Sequence, residues 1–107
     1  MFYKTSQSND HQILPDIKRK TLVYGDNSLL SEFIMKKGSS LPKHSHANEQ
    51  TGYLVKGKIK LTIGGENFEA LSGDSWAINS NVEHSAEILE DSVAIEVFTP
   101  IREDYLP

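Results

Sequence analysis

The chain has 107 residues, with 11 Lys+Arg against 15 Asp+Glu, 37% hydrophobic residues and no cysteine. That length suits one domain, 1–107, around one modest core. Lack of cysteine excludes disulfides, thiolate metal ligands and a cysteine nucleophile, so any metal would rest on nitrogen and oxygen; the net charge of −4 argues against a nucleic-acid partner, which requires a clustered basic surface.

The opening stretch MFYKTSQSNDHQ lacks the apolar run of a secretory signal. No segment approaches the roughly 20 apolar residues of a membrane helix. The expectation is a cytoplasmic protein without a membrane partner. The first ten or so residues read as a loose segment or an added edge strand. Lys18-Arg19-Lys20 reads as a solvated strand face that blunts an exposed edge. Beyond it, turn signals recur at Gly25-Asp26-Asn27, Lys37-Gly38-Ser39-Ser40, Gly57, Gly64-Gly65, Ser72-Gly73-Asp74, Asn79-Ser80-Asn81 and Glu90-Asp91. The runs between them are of strand length and rich in Val, Ile, Leu, Phe and Tyr.

Lys58 to Ile63 alternates polar and apolar, the period of a half-buried strand. With Gly64-Gly65 and Glu66 to Leu71 it predicts a hairpin, since glycine accepts the positive φ of a two-residue turn. Ser92 to Phe98 predicts a strand with Val93, Ile95 and Val97 on one face and Ala94, Glu96 and Phe98 on the other. No window sustains a helical apolar stripe. An all-β sandwich or barrel is therefore expected, and its uncovered edges and apolar outer faces predict a homodimer, to which Met1–Ser6 could add a strand.

Three histidines carry the chemical signal; His11 reads as an ordinary surface residue. His44 and His46 are two apart, so on an extended chain both imidazoles point the same way. Gln50 lies four residues beyond His46, after a turn at Ala47-Asn48-Glu49. His84 follows 38 residues after His46.

The spacing around these histidines resembles the cupin family. Gly38, five residues, His44-Ser45-His46, then Gln50, then six residues to Gly57 follow the first cupin motif. Gly73, Asn79, Asn81 and His84 follow the second, with asparagine at its proline and glycine positions; asparagine tolerates such bends. The matches and the intervening strands cover about residues 20–98. The resemblance implies a double-stranded β-helix of the jelly-roll type. It also implies one divalent transition metal on His44, His46, Gln50 and His84. Gln50 replaces the motif's usual acid, and Glu49 would point to the opposite face. Three neutral imidazoles and an amide leave the ion its full +2 charge, which favours an anionic ligand. The donor set suits Zn, Ni, Fe, Mn or Cu.

The C-terminal run Val97 to Tyr105 is similar to the end of a cupin subfamily associated with pectin degradation and with linearising unsaturated uronates. Its acid, Phe, Pro and Arg fall on Glu96, Phe98, Pro100 and Arg102. The acid is usually Asp there; the extra methylene of Glu96 displaces the carboxylate by roughly 1.5 Å. The resemblance implies a small anionic sugar-like substrate, Glu96 and Arg102 as catalytic residues, and Phe98 with Arg102 as its binding surface. Alternatives are an oxygenase or isomerase of another small molecule, and a non-catalytic sensor domain. The bland reading puts Glu96 in solvent and pairs Arg102 with Glu103 or Asp104. Trp76 and Tyr53 are expected on an outer sheet face or interface.

Overall fold

The computed structural model describes residues 1–7 and 10–107. Ten strands follow one another: β1 (Asp10–Leu14), β2 (Ile17–Tyr24), β3 (Leu29–Met35), β4 (Ser40–His44), β5 (Glu49–Lys56), β6 (Lys58–Ile63), β7 (Glu66–Leu71), β8 (Ser75–Ile78), β9 (His84–Ile88) and β10 (Ser92–Thr99). Short 3-10 turns occupy Thr5–Gln7 and Glu103–Tyr105. A six-stranded sheet runs β1-β2-β3-β10-β5-β8 and a four-stranded sheet runs β4-β9-β6-β7. All the pairings are antiparallel. The architecture is the jelly roll.

The predicted hairpin of β6 and β7 forms with Ile63 opposite Glu66 and Gly64-Gly65 at the turn. In β10, Ser92, Ala94, Glu96 and Phe98 point inward, while Val93, Ile95 and Val97 face out and stay partly exposed. The inward residues join Ile17, Leu29, Phe33, Met35, Leu54, Ile59, Leu61, Ala86 and Ile88 in the core between the sheets.

One expectation is resolved and another corrected. The edge strand is β1, which contains His11, and Met1–Gln7 lies outside the sheets; Ser8 and Asn9 lie outside the described residues. The basic triplet is not one solvated face. β2 lies inside its sheet, between β1 and β3, and alternation splits the triplet: Lys18 is exposed, Lys20 reaches Asp10 at 3.8 Å, and Arg19 is buried on the Ile17 side.

Two backbone features set the site. Asn81, in the second turn motif, adopts φ 64° and donates its backbone N–H to the carbonyl of His46 at 2.8 Å. It thus joins the two histidine-bearing segments through a conformation asparagine tolerates. Gly52 stands opposite both Glu96 and Trp76 in adjoining strands. A Cβ there would lie 2.1 Å from the Trp76 Nε1, so glycine leaves the slot in which the indole lies.

Candidate metal and acid site

A cavity lies between the sheets; His44, Gln50, Trp76, His84, Glu96 and Arg102 line it, with Phe98 and Tyr105 among the aromatic walls. His44 ends β4 directly opposite His84, which begins β9. His46 follows β4, and its ring centroid lies 5.0 Å from that of His84. The three imidazoles present nitrogens all within 4.8 Å of one another.

Each imidazole is oriented through its far nitrogen. His44 Nδ1–H donates to the Pro42 carbonyl (2.7 Å), His46 Nδ1–H to Asn48 (2.9 Å) and His84 Nδ1–H to Val82 (2.9 Å). Those backbone acceptors select the tautomer that leaves Nε2 with a free lone pair, as metal-ligating histidines require. Burial pushes the His84 pKa down to about 4 and lowers that of His46 as well, so both rings stay neutral.

Two features of this geometry fit a cation. Among the described residues, His84 Nε2 is buried without a hydrogen-bond partner, on a side chain only 5% exposed. His46 Nε2 also faces the Gln50 Oε1 at 3.0 Å. The Gln50 amide is fixed by its other end, where Nε2 donates to Glu96 Oε2 at 2.6 Å. Two acceptors therefore confront each other, an unfavourable contact unless a positive charge satisfies both. Ligands about 2.1 Å from one ion at a right angle stand about 3 Å apart, which matches this separation. Glu49 is exposed and takes no part.

Glu96 is 6% exposed and holds hydrogen bonds from Gln50 and, at 3.2 Å, from Trp76 Nε1 to Oε1. Burial pushes its pKa up to about 8, against the pull of those two donors. Its carboxyl is thus inside the cavity, one amide away from the histidines. Phe98 packs beside His46 with ring centroids 5.7 Å apart. Arg102 both lines the cavity and pairs with Asp104, Nε to Oδ1 at 3.2 Å and Nη2 to Oδ2 at 2.8 Å. Of the two partners that the bland reading offered Arg102, the structure gives it Asp104.

Trp76 is a correction: it points inward and bonds Glu96, while Tyr53 keeps the outer face at 48% exposure. Gly52 was the signal for it, a glycine in mid-strand marking close approach. Tyr105, in the C-terminal turn, and Arg19 were also missed. The parity of Arg19 with Ile17 was legible; the return of Tyr105 to the cavity was not.

Comparisons with known proteins agree with this geometry. The cupin domain family matches residues 31–99. The pectin degradation protein KdgF of Dickeya dadantii is 32% identical over 92 residues, covering 84% of each chain. The structure of KdgF from Halomonas sp. superposes with a TM-score of 0.92 at 27% identity, covering 99% of this chain and 98% of that one. An RmlC-like cupin from Shewanella frigidimarina also gives 0.92, at 26% identity, over 98% and 95% of the two chains. With its family match spanning both histidine segments, its jelly-roll fold and its three-histidine cluster, this chain belongs to the cupin family.

Proposed function

We propose that this protein is a metal-dependent isomerase that opens a small unsaturated uronate ring and tautomerises the product to its linear keto form. The observation that carries the reading is the line His46–Gln50–Glu96: a buried carboxyl with a pKa near neutrality, coupled through one amide to three oriented imidazoles. The relatives named for pectin degradation support the choice of a sugar acid.

His44, His46, His84 and the Gln50 carbonyl would hold the metal. When bound, a divalent transition ion supplies Lewis acidity toward sugar oxygens. The remaining work falls to the chain. Arg102 presents a planar fork to the substrate carboxylate. Asp104 holds that fork now, but its carboxylate is 62% exposed, and an exposed pair costs little to exchange. Phe98 supplies an apolar wall that limits water.

Glu96 moves the proton. Ring opening takes a proton from the anomeric hydroxyl as the ring C–O bond breaks and an aldehyde forms. The ring oxygen becomes an enol oxygen, and ketonisation delivers a proton to the neighbouring alkene carbon. The reaction is an isomerisation with no net proton, so one group that accepts at oxygen and donates at carbon closes the cycle. Burial raises the Glu96 pKa to about 8 in the metal-free protein, and a divalent ion one amide away would draw it down toward neutral pH, where both forms are populated and serve both directions.

The test is NMR of an unsaturated uronate with the metal-loaded protein. Conversion to the linear keto form is expected, and Glu96→Gln should slow it by about 10²–10⁴-fold with metal content unchanged. Unaltered turnover by Glu96→Gln would remove Glu96 from the chemistry. Tight binding of the uronate with no conversion by either protein would favour a sensor domain.

A further inference from the structure

The chain contains two arginines, Arg19 and Arg102, and both lie against one ring. Arg19 Cζ is 3.8 Å from the Tyr105 centroid and Arg102 Cζ is 4.1 Å from it. Arg19 is 8% exposed, and its Nε and Nη1 have no hydrogen-bond partner among the described residues. A buried unpaired cation is costly. The compensating contact among the described residues is the Tyr105 π-face, which attracts a flat guanidinium better than a hydrated ammonium.

Tyr105 has other contacts as well. It sits in a three-residue 3-10 turn, its carbonyl accepts from Thr21 Oγ1, and its ring meets Phe98 and Phe33 at centroid distances of 5.2 and 6.3 Å. Arg102 precedes that turn and lies over the same ring and, at 5.3 Å, over that of Phe98, while its fork is occupied by Asp104. Arg19 opposes Phe33 across β2 and β3, so it is anchored in the sheet. It is the rigid end of a chain of contacts that runs Arg19, Tyr105, Arg102.

We propose that Arg19 and Tyr105 are positioning residues: Arg19 pins the Tyr105 ring, and the ring fixes where the Arg102 fork stands at the cavity mouth. Affinity for a ligand carboxylate then depends on a guanidinium that does not touch the ligand. The inference rests on Arg102 being the carboxylate clamp.

Two readouts test it. The side-chain Nε–Hε spectrum of this protein has two arginine signals, and both should show the upfield displacement of protons lying over an aromatic ring. Arg19→Lys keeps the charge and loses the flat stack; it should move the Arg102 signal toward its free-peptide position. Tyr105→Leu should do the same, while Tyr105→Phe, which keeps the ring, should leave both signals displaced. Calorimetry of the metal-loaded protein with D-galacturonate should show affinity weakened about tenfold by Arg19→Lys and Tyr105→Leu, within twofold of wild type for Tyr105→Phe, and no change toward D-galactose. An Arg102 signal unmoved by Arg19→Lys and Tyr105→Leu overturns the proposal, whatever binds. Unchanged galacturonate affinity in those variants, while Arg102→Gln abolishes it, overturns it as well. If Arg102→Gln binds galacturonate as wild type does, the clamp reading fails instead, and the spectrum alone decides the positioning role.

Discussion

At the histidine end of the cavity, every imidazole is tied to a backbone carbonyl two residues away; at the mouth, Arg102 is tied to an exposed aspartate and to the ring of a three-residue turn. The first arrangement moves only if strands or their turns move. The second can be exchanged side chain by side chain. The difference fits a division of labour in which a preorganised interior holds the chemistry and an adjustable rim selects the ligand. Gln50, Glu96 and Trp76 belong with the interior: Glu96 and Trp76 flank Gly52 across β10, β5 and β8, and Gln50 lies two residues along β5 from that glycine.

The contrast breaks most severely at Gly52. A methyl there would overlap the Trp76 indole, so Gly52→Ala should drive the indole from its slot. A loss of about 1–3 kcal/mol in stability is expected, with turnover down about 100-fold as Glu96 loses its registration. Thermal melts and uronate kinetics would show it. Trp76→Phe keeps the aromatic bulk and removes one donor from Glu96; turnover should fall about tenfold while metal content stays the same. Were Trp76→Phe to release the metal instead, the indole would belong to a histidine-supporting shell.

The interior should also reveal itself through pH in metal-stripped protein. The folded-state pKa of Glu96, about 8, is above its ordinary value of 4.5. The folded chain then keeps a proton that the unfolded chain has lost, and stability falls as pH rises between those values. The histidines act in the opposite sense. The pKa of His84, about 4, is below its ordinary 6.5, so its contribution is present above pH 6.5 and lost as pH falls toward 4. Between pH 6.5 and 8 the carboxyl slope stands clear of the histidine one. Denaturation midpoints should drop across that interval, by at most about 1.4 kcal/mol per pH unit, and Glu96→Gln should flatten the curve.

At the rim the effects are small. Asp104→Asn removes the carboxylate that occupies the Arg102 fork; an exposed pair is worth up to about 1 kcal/mol, so KM for an anionic substrate should fall by up to about fivefold with kcat unchanged. A rise in KM would show that Asp104 aligns the fork rather than competing for it.

The same contrast explains what could be read from sequence. His44, His46, Gln50 and His84 were legible because period-two strands and a motif of turns fix their spacing, and the family's pattern is written in those turns. The β6–β7 hairpin was legible from local chemistry alone, Gly64-Gly65 between alternating runs. Trp76 was misread because β8 is four residues long, too short for alternation to declare a face, and its inward position depends on Gly52 in another strand. Arg19 was misread because a basic triplet suggested one solvated face, although its parity with Ile17 placed it inside. Tyr105 could not be read at all: its contacts with Thr21, Arg19 and Phe33 span more than 70 residues of chain and leave no local pattern.

Metal stoichiometry of purified protein, wild type against His84→Ala, bears most directly on the whole interpretation. About one divalent transition ion per wild-type chain, lost when the buried and unpartnered His84 Nε2 is removed, is the expected result. Wild-type protein that takes up no such ion from a metal-replete buffer, or a His84→Ala variant that binds it equally well, would contradict a three-histidine centre in this cavity.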